Sequence, residues 1–408
     1  MDARLIAAAI PFFFALIGLE RWLTRRRADP YYRLHDSLAD LSCGIGQQVV
    51  QIFVLALITG SYVLVWDRWR LMTVSETSVA GWIALLVLVD VAFYWFHRAS
   101  HRVNFLWAIH AVHHQSEEYN LSVALRQAWL EPLAIAAFHL PIALCGFPPA
   151  MFLAAYTINT LYQFWVHTRG IGKLGPVELA LNTPSHHRVH HAINPAYIDK
   201  NYSGMFIVWD RLFGTFTAET EEPVYGTVKP LHSFNPAWAQ VAYWLEIARL
   251  AARAPRLVDK LRAWIAPPEW RPPELGGPVT IPPVTRAAQQ KYDVRAPRAV
   301  NRYVVASFVL VILSTSAIIL AQEHAPLLDL AVSAALIMAT LATIAGLVEG
   351  RRWAVPLEIA RLVALVPAAA LLAHGTPHLV PAIAAAALVS AIFAAGLWRA
   401  RPAIRDAR

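Results

Sequence analysis

Histidine is the residue type with unusual placement in this 408-residue chain: of 16, nine fall within residues 97–114 and 186–191, where an even spread would put about one. The spacing is orderly, His97-x3-His101, His110-x2-His113-His114 and His186-His187-x2-His190-His191. Residues three and four apart share a helix face, so His97 with His101, His110 with His113 and His114, and His187 with His190 and His191 each turn imidazoles toward one point. Neutral imidazole is the commonest transition-metal ligand and suits zinc, copper, iron and nickel alike. One ion takes about four to six ligands, so a set this large points to two ions. A closed structural zinc site would leave half of it unused. Metal-storage tracts are low in complexity, whereas these clusters interrupt helix-like sequence carrying Tyr94, Trp95 and Trp107.

Two further residues join the set. His167 stands alone in sequence, but at the end of an apolar run and between the two clusters, which favours a ligand role. Asp90 precedes His97 and His101 by two and three helical turns on the same face. A carboxylate inside an apolar run is costly unless paired, so it is expected to accept a hydrogen bond from a ligating histidine, with an ion pair to a loop arginine as the alternative. His35, His139, His232, His324, His374 and His378 have no histidine at helical spacing on a shared cytoplasmic face and are read as structural.

The elements that must carry these side chains are membrane helices. The chain is 57% hydrophobic and 15% charged, against roughly 45–50% and about 25% in soluble domains. Apolar runs of spanning length lie at about 5–19, 41–65, 79–96, 303–321, 327–347, 355–373 and 379–398. Residues 129–166 hold two more, split by Cys145-Gly146-Phe147-Pro148-Pro149, and read as a helical hairpin. The expected fold is an all-α integral membrane protein of about nine membrane helices including that hairpin, with a cytoplasmic histidine-rich helical cap. The first run reads as an uncleaved span, since Arg21, Arg25, Arg26 and Arg27 follow it. Alternating the loops puts Arg98–Arg126, residues 167–302 and the tail on the cytoplasmic side, where the positive-inside rule wants them.

Three modules are expected: a metal-bearing membrane domain over 1–250, a proline-rich connector over 251–300 and a four-span module over 301–408. Pro267-Pro268, Pro272-Pro273 and Pro282-Pro283 prevent one long helix in the connector. Glu358 and Arg361, three apart on one helix face, read as an ion pair. The net charge of +8 forms no stripe with interleaved aromatics, so no nucleic-acid partner is expected. Cys43 and Cys145 offer neither a disulfide framework nor a thiolate metal site. Gly170-x-Gly-x-x-Gly175 follows a membrane helix rather than a strand, which argues against dinucleotide binding.

Three stretches together resemble the fatty acid hydroxylase and sterol desaturase superfamily of membrane di-iron enzymes, in its alkylglycerol monooxygenase branch. They are Asp90-Val-Ala-Phe-Tyr94-Trp-Phe-His97-Arg98-Ala-Ser-His101; Trp107-Ala-Ile-His110-Ala-Val-His113-His114 with Glu117-Glu118-Tyr119-Asn120 and Arg126-Gln127; and Asn182-Thr-Pro-Ser185-His186-His187-Arg188-Val-His190-His191 with Asn201-Tyr202-Ser-Gly204 and Trp209-Asp210-Arg211-Leu-Phe213-Gly214. The resemblance covers about residues 35–225. Arg102 departs from it, standing where that branch carries an acidic residue. It implies two iron ions at the cytoplasmic membrane surface, O2 as co-substrate, a lipid drawn from the bilayer, and an electron-donor protein or a reduced pterin such as tetrahydrobiopterin. The implied ligands are His97, His101, His110, His113, His114, His167, His187, His190 and His191, with His186 a tenth ligand or an outer neighbour.

Asn120, Arg126 and Asn182 flank the clusters, where they would hold a lipid headgroup or order the loops. Glu117 and Glu118 read as loop charges or histidine partners. Iron rests on the resemblance, since spacing alone admits other metals. A sterol, carotenoid or fatty-acid desaturase or hydroxylase and, from another class, a metal-handling membrane transporter are the alternatives. The Ala-, Arg- and Pro-rich composition points to a bacterial inner membrane.

Overall fold

The computed structural model describes the backbone of residues 3–406 and the side chains of residues 10–400. The described chain is helical, with no strand beyond two isolated antiparallel bridges, Leu181 with Phe206 and Ala192 with Tyr225. Its α-helices are α1 (Ala3–Thr24), α2 (Leu34–Trp69), α3 (Val79–Arg102), α4 (Asn104–His114), α5 (Glu131–Leu144), α6 (Pro149–Trp165), α7 (Pro184–His190), α8 (Val208–Leu212), α9 (Pro236–Arg253), α10 (Leu257–Ile265), α11 (Arg298–Ala321), α12 (Leu327–Val348), α13 (Ala354–Leu372) and α14 (Leu379–Asp406). Six helices of the described chain, α2, α3 and α11 to α14, are long and apolar enough to cross a membrane. The run expected at 5–19 lies in α1. The expected hairpin is α5 and α6, of 14 and 17 residues, each shorter than the roughly 20 residues a bilayer core demands.

Local chemistry sets the helix ends that matter. Ser78 caps α3 by accepting from the Gly81 amide at 3.0 Å, and Asn235 caps α9 by accepting from Ala237 and Trp238, with Pro236 at the first helical position. Val103 takes an extended conformation, which turns α3 sharply into α4. Asn104 holds that corner: its amide and side-chain Nδ2 donate to the carbonyls of Ala266 and Ala263, and its Oδ1 accepts from the Tyr243 hydroxyl at 2.7 Å.

Two apolar cores organise the membrane part. Tyr62, Leu85, Val89, Ile142, Met151 and Phe152 join α2, α3, α5 and α6. A larger core joins Leu38, Ala39 and Val49 of α2 to α11, α12 and α14. α11 and α12 therefore pack directly on the histidine-bearing part, and α13 and α14 pack on α11 and α12. Residues 266–297 contain no α-helix, as the prolines dictate, yet they do not hang free. Tyr292 donates its amide to Glu117, Lys291 pairs with Glu118 at 2.7 Å, and Gln289 donates to the Tyr225 carbonyl. Glu358 and Arg361 do form an ion pair, Arg361 Nε donating at 2.8 Å, and the Tyr303 hydroxyl of α11 also donates to Glu358.

Candidate metal centre

Two groups of buried histidines converge where α3, α4 and α7 meet the end of α6. His97, His101, His110, His114 and His190 offer nitrogens that all lie within 4.8 Å of one another, and so do His113, His167, His187 and His191. The grouping refines the helical-face expectation. Pairs four apart (His97 with His101, His110 with His114, His187 with His191) stay together, whereas the pairs three apart, His110 with His113 and His187 with His190, are divided between the groups. Adjacent residues project about 100° apart on a helix, so His113 and His114, like His190 and His191, serve opposite groups. The groups abut: the rings of His114 and His191 stack with centroids 4.3 Å apart.

Backbone carbonyls orient the rings. His97 Nδ1 faces the Tyr202 carbonyl at 2.7 Å, His190 Nδ1 that of Lys200 at 3.0 Å, His113 Nδ1 that of Arg126 at 2.9 Å and His167 Nδ1 that of Gln163 at 2.7 Å. A carbonyl only accepts, so each of these nitrogens carries the proton and leaves Nε2 bare. Yet the Nε2 atoms of His113 and His167 approach to 3.1 Å. Two lone pairs that close repel unless a cation lies between them. Burial pushes the competing cation, a proton, away: His114, His167, His187 and His191 are driven well below the usual imidazole range, His113 down to about 4 and His190 to about 3. In the five-histidine group the Nε2 atoms of His97, His101 and His190 are buried without any hydrogen-bond partner. Neutral rings with bare, convergent nitrogens fit a metal pair.

Other expected residues act differently from their sequence reading. Asp90 touches no histidine. Its oxygens accept from Asn159 Nδ2 (2.7 Å), the amides of Met205 (2.6 Å) and Phe206 (3.0 Å) and Trp209 Nε1 (2.8 Å). The helical-face argument placed it correctly along α3 but not its partner, because the loop after Asn201 lies closer than any imidazole. Gly204 permits this approach, since a Cβ there would meet Asp90 Oδ1 at 2.8 Å. Asp90 thus positions the loop whose Tyr202 and Lys200 carbonyls hold His97 and His190. Asp210 secures the same loop by accepting from the Tyr202 and Ser203 amides.

Asn120 is fully buried and occupied within the protein: Nδ2 donates to the Tyr31 carbonyl, and Oδ1 accepts from Ser122. Arg126 donates to the Val112 carbonyl, Asp40 and Gln115. Asn182 donates to the carbonyls of Ser203 and Gly204. All three order loops through these bonds; of their side-chain polar atoms only Asn182 Oδ1 is buried without a hydrogen-bond partner. His186 belongs to neither histidine group; its ring lies against Phe216. Glu117 and Glu118 serve Arg33, Lys291 and Tyr292 rather than histidines. An acidic neighbour of His101 comes from Asp199, 3.9 Å from its Nδ1 and paired with Arg102.

Sequence reasoning missed Glu131, whose Oε1 lies 3.2 Å from His110 Nδ1. A lone acid opening an apolar run was the available signal.

Two cavities flank the histidines and share none of them. One, of about 200 Å³ among the membrane helices, is lined by His97, His110, His113, His167 and His187 together with Phe13, Phe93 and Leu161. The other, of about 520 Å³ beneath α9 and the connector, is lined by His101, His114, His190 and His191 together with Trp107, Trp238 and Tyr243. Each cavity reaches both groups, and the histidine layer is the wall between them.

A family model described as fatty acid hydroxylase matches residues 82–215. Over 312 residues the chain is 39% identical to alkylglycerol monooxygenase of Homo sapiens, covering 75% of this chain and 69% of that protein. It is 31% identical to the ornithine lipid hydroxylase OlsE of Rhizobium tropici over 132 residues, 32% of this chain and 40% of that one. With the Delta(7)-sterol 5(6)-desaturase erg3C of Aspergillus fumigatus it shares 23% identity over 194 residues, 40% and 58% of the two chains. No solved structure matches.

Proposed function

Because the chain belongs to the fatty acid hydroxylase and sterol desaturase superfamily, in its alkylglycerol monooxygenase branch, we propose that it is a membrane-bound di-iron monooxygenase. It hydroxylates an unactivated C–H bond of a lipid, an alkylglycerol-type ether lipid by analogy with the relatives. The observation that carries this reading is the pair of abutting histidine groups, with bare Nε2 atoms as close as 3.1 Å. His97, His101, His110, His114 and His190 would hold one iron, and His113, His167, His187 and His191 the other. When bound, the irons supply activation of O2.

The chain's own residues do the rest. Carbonyls of Tyr202, Lys200, Arg126 and Gln163 keep four rings in the tautomer that presents Nε2. The cavity among the membrane helices admits the lipid from the bilayer, with Phe13, Phe93 and Leu161 excluding water from it. The overall change, RH + O2 + 2 e⁻ + 2 H⁺ giving ROH + H2O, requires a two-electron reductant. The cap cavity gives a donor protein or reduced pterin a route that the lipid does not block. On loop charge the cap faces the cytoplasm. The relatives come from an animal, a bacterium and a fungus, which leaves the expected bacterial inner membrane resting on composition alone.

Against the transport reading, the buried charges described in the last four helices, Glu358 and Arg361, bond to each other and to Tyr303 rather than lining a path. Two measurements test the proposal. Protein produced with iron should carry about two irons per chain, and a lipid screen should show O2-dependent oxidation; an ether lipid hydroxylated next to its oxygen would release an aldehyde, whereas a desaturase would leave an alkene. Zinc alone, or iron content unchanged in His113→Ala, would overturn it.

A further inference from the structure

α10 turns an apolar face away from the protein. Leu257, Val258, Leu261 and Ile265 are 74%, 64%, 64% and 67% exposed. At roughly 100° per residue these four fall within one arc about 100° wide. The opposite side of the helix, Asp259 and Ala263, is buried against the protein. Lys260 and Arg262 are exposed and stand on the two edges of the apolar arc, one on each. Arg256 is paired with Glu274, whereas no carboxylate among the described residues pairs with Lys260 or Arg262. Four adjoining apolar side chains on so short a helix form a patch rather than scattered exceptions, and such a patch marks a contact surface.

The place of α10 in the fold says what covers that face. The apolar span α3 ends at Arg102. Just beyond it, Asn104 donates its amide to the Ala266 carbonyl at 3.0 Å and its Nδ2 to the Ala263 carbonyl at 2.8 Å. The last turn of α10 is therefore fastened at the level where a membrane span stops. Phe105, itself exposed, packs on Trp244 with ring centroids 5.0 Å apart, and Trp244 faces Trp264 of α10 at 6.3 Å. Aromatic rings of this kind gather at the headgroup level of a bilayer. An apolar arc edged by cations suits the same level, since the arc enters the acyl boundary while the long basic side chains reach back to the phosphates.

We propose that α10 is an in-plane membrane anchor: Leu257, Val258, Leu261 and Ile265 sink into the boundary between headgroups and acyl chains, and Lys260 and Arg262 hold anionic phospholipid headgroups on either side. This stands apart from the lipid-oxygenase reading, because no metal or substrate enters it. α10 joins α9, which gives Trp238, Tyr243 and Arg249 to the cap cavity, to Pro268, Glu269 and Arg271, which line the same cavity. A seat in the bilayer thus fixes that wall of the cavity to the membrane surface.

The test places the fluorophore NBD on Leu261→Cys in a Cys145→Ser background, using the full chain in nanodiscs; Cys43 is fully buried and stays unlabelled. Ala287→Cys, exposed in the connector, and Leu313→Cys, exposed on α11, serve as the water and bilayer references. Quenching by acyl-chain nitroxide phospholipids and by iodide is read at each site, and thermal unfolding matched to the unlabelled parent controls for folding. The label at position 261 should be quenched by the nitroxide lipids, shielded from iodide, and placed about 5–10 Å into the headgroup and acyl boundary. At equal mole fraction, nitroxide phosphatidylglycerol should quench it more than nitroxide phosphatidylcholine, with roughly fivefold enrichment for each basic residue. Lys260→Gln/Arg262→Gln should bring the two lipids close to parity.

Iodide quenching equal to that at position 287 would overturn the anchor. Shielding from both quenchers would overturn it too, since protein would then cover the face; nanodiscs holding a single chain tell a second copy from the chain itself. Equal quenching by the two lipids with Lys260 and Arg262 in place would overturn the anionic headgroup contacts.

Discussion

Replacing Asp90 with alanine should remove one metal and spare the other. The carboxylate satisfies four donors, two of them the backbone amides of Met205 and Phe206. Each hydrogen bond to a charged acceptor contributes roughly 1.5–3 kcal/mol, and deleting a buried charge returns several kcal/mol of desolvation. The net loss is about 3 kcal/mol, on the order of a hundredfold in the constant for opening the loop. That loop supplies the Tyr202 and Lys200 carbonyls to His97 and His190, both of the five-histidine group. The four-histidine group takes its carbonyls from Arg126 and Gln163, which lie outside the loop. Iron measured per chain should fall from about two to about one, and hydrogen exchange should accelerate in residues 200–210. Retention of both irons with unchanged exchange, or loss of both together with the fold, would refute the claim that Asp90 acts through this loop on one group.

Glu131→Gln keeps the shape but weakens the partner of His110; second-layer substitutions of this kind cost about 10- to 100-fold in metal affinity, to be read by chelator competition. His186→Ala should keep both metals, since its ring lies outside both groups, while His113→Ala should lose the four-histidine metal and activity with normal membrane insertion. In metal-free protein, stability should fall as pH drops below about 6.5, because the unfolded chain takes protons that His113 and His190, held to about 4 and about 3, refuse. At pH 5.5 each of those two rings costs on the order of 1 kcal/mol. Thermal unfolding of chelator-treated protein between pH 7.5 and 5 checks the slope, and a flat profile would contradict the burial argument.

How much of this could be read from the residues depended on whether the signal was local. Histidines four apart fall on one helix turn, so the convergent set was legible in the sequence. Its division was not, because which of two sites takes a histidine three residues on depends on how α4 and α7 face each other. Asp90 shows the same limit: helical phase gave its height on α3, but its partners come from a loop more than a hundred residues later. The carbonyl oxygens of Tyr202, Lys200, Arg126 and Gln163 carry no side-chain signature at all. Glu131 was overlooked because a single acid opening an apolar helix looks like a tolerated exception until His110 is found beside it. The six long spans, by contrast, follow from apolar run length alone.

The shared core of α2 with α11 and α12 also has a consequence for how the protein is made. Leu38, Ala39 and Val49 leave the ribosome some 250 residues ahead of their partners Val300, Val304 and Leu341. At about 5–20 residues per second, α2 spends on the order of 10 to 50 s in the bilayer with that face against lipid. During this interval the histidine-bearing segments are already synthesised, while the strap at 289–292 that fastens Glu117, Glu118 and Tyr225 is not. Closure over the histidine groups therefore waits on translation of the last third of the chain, and a ribosome stalled before residue 290 would display the histidines without the clasp that closes over them.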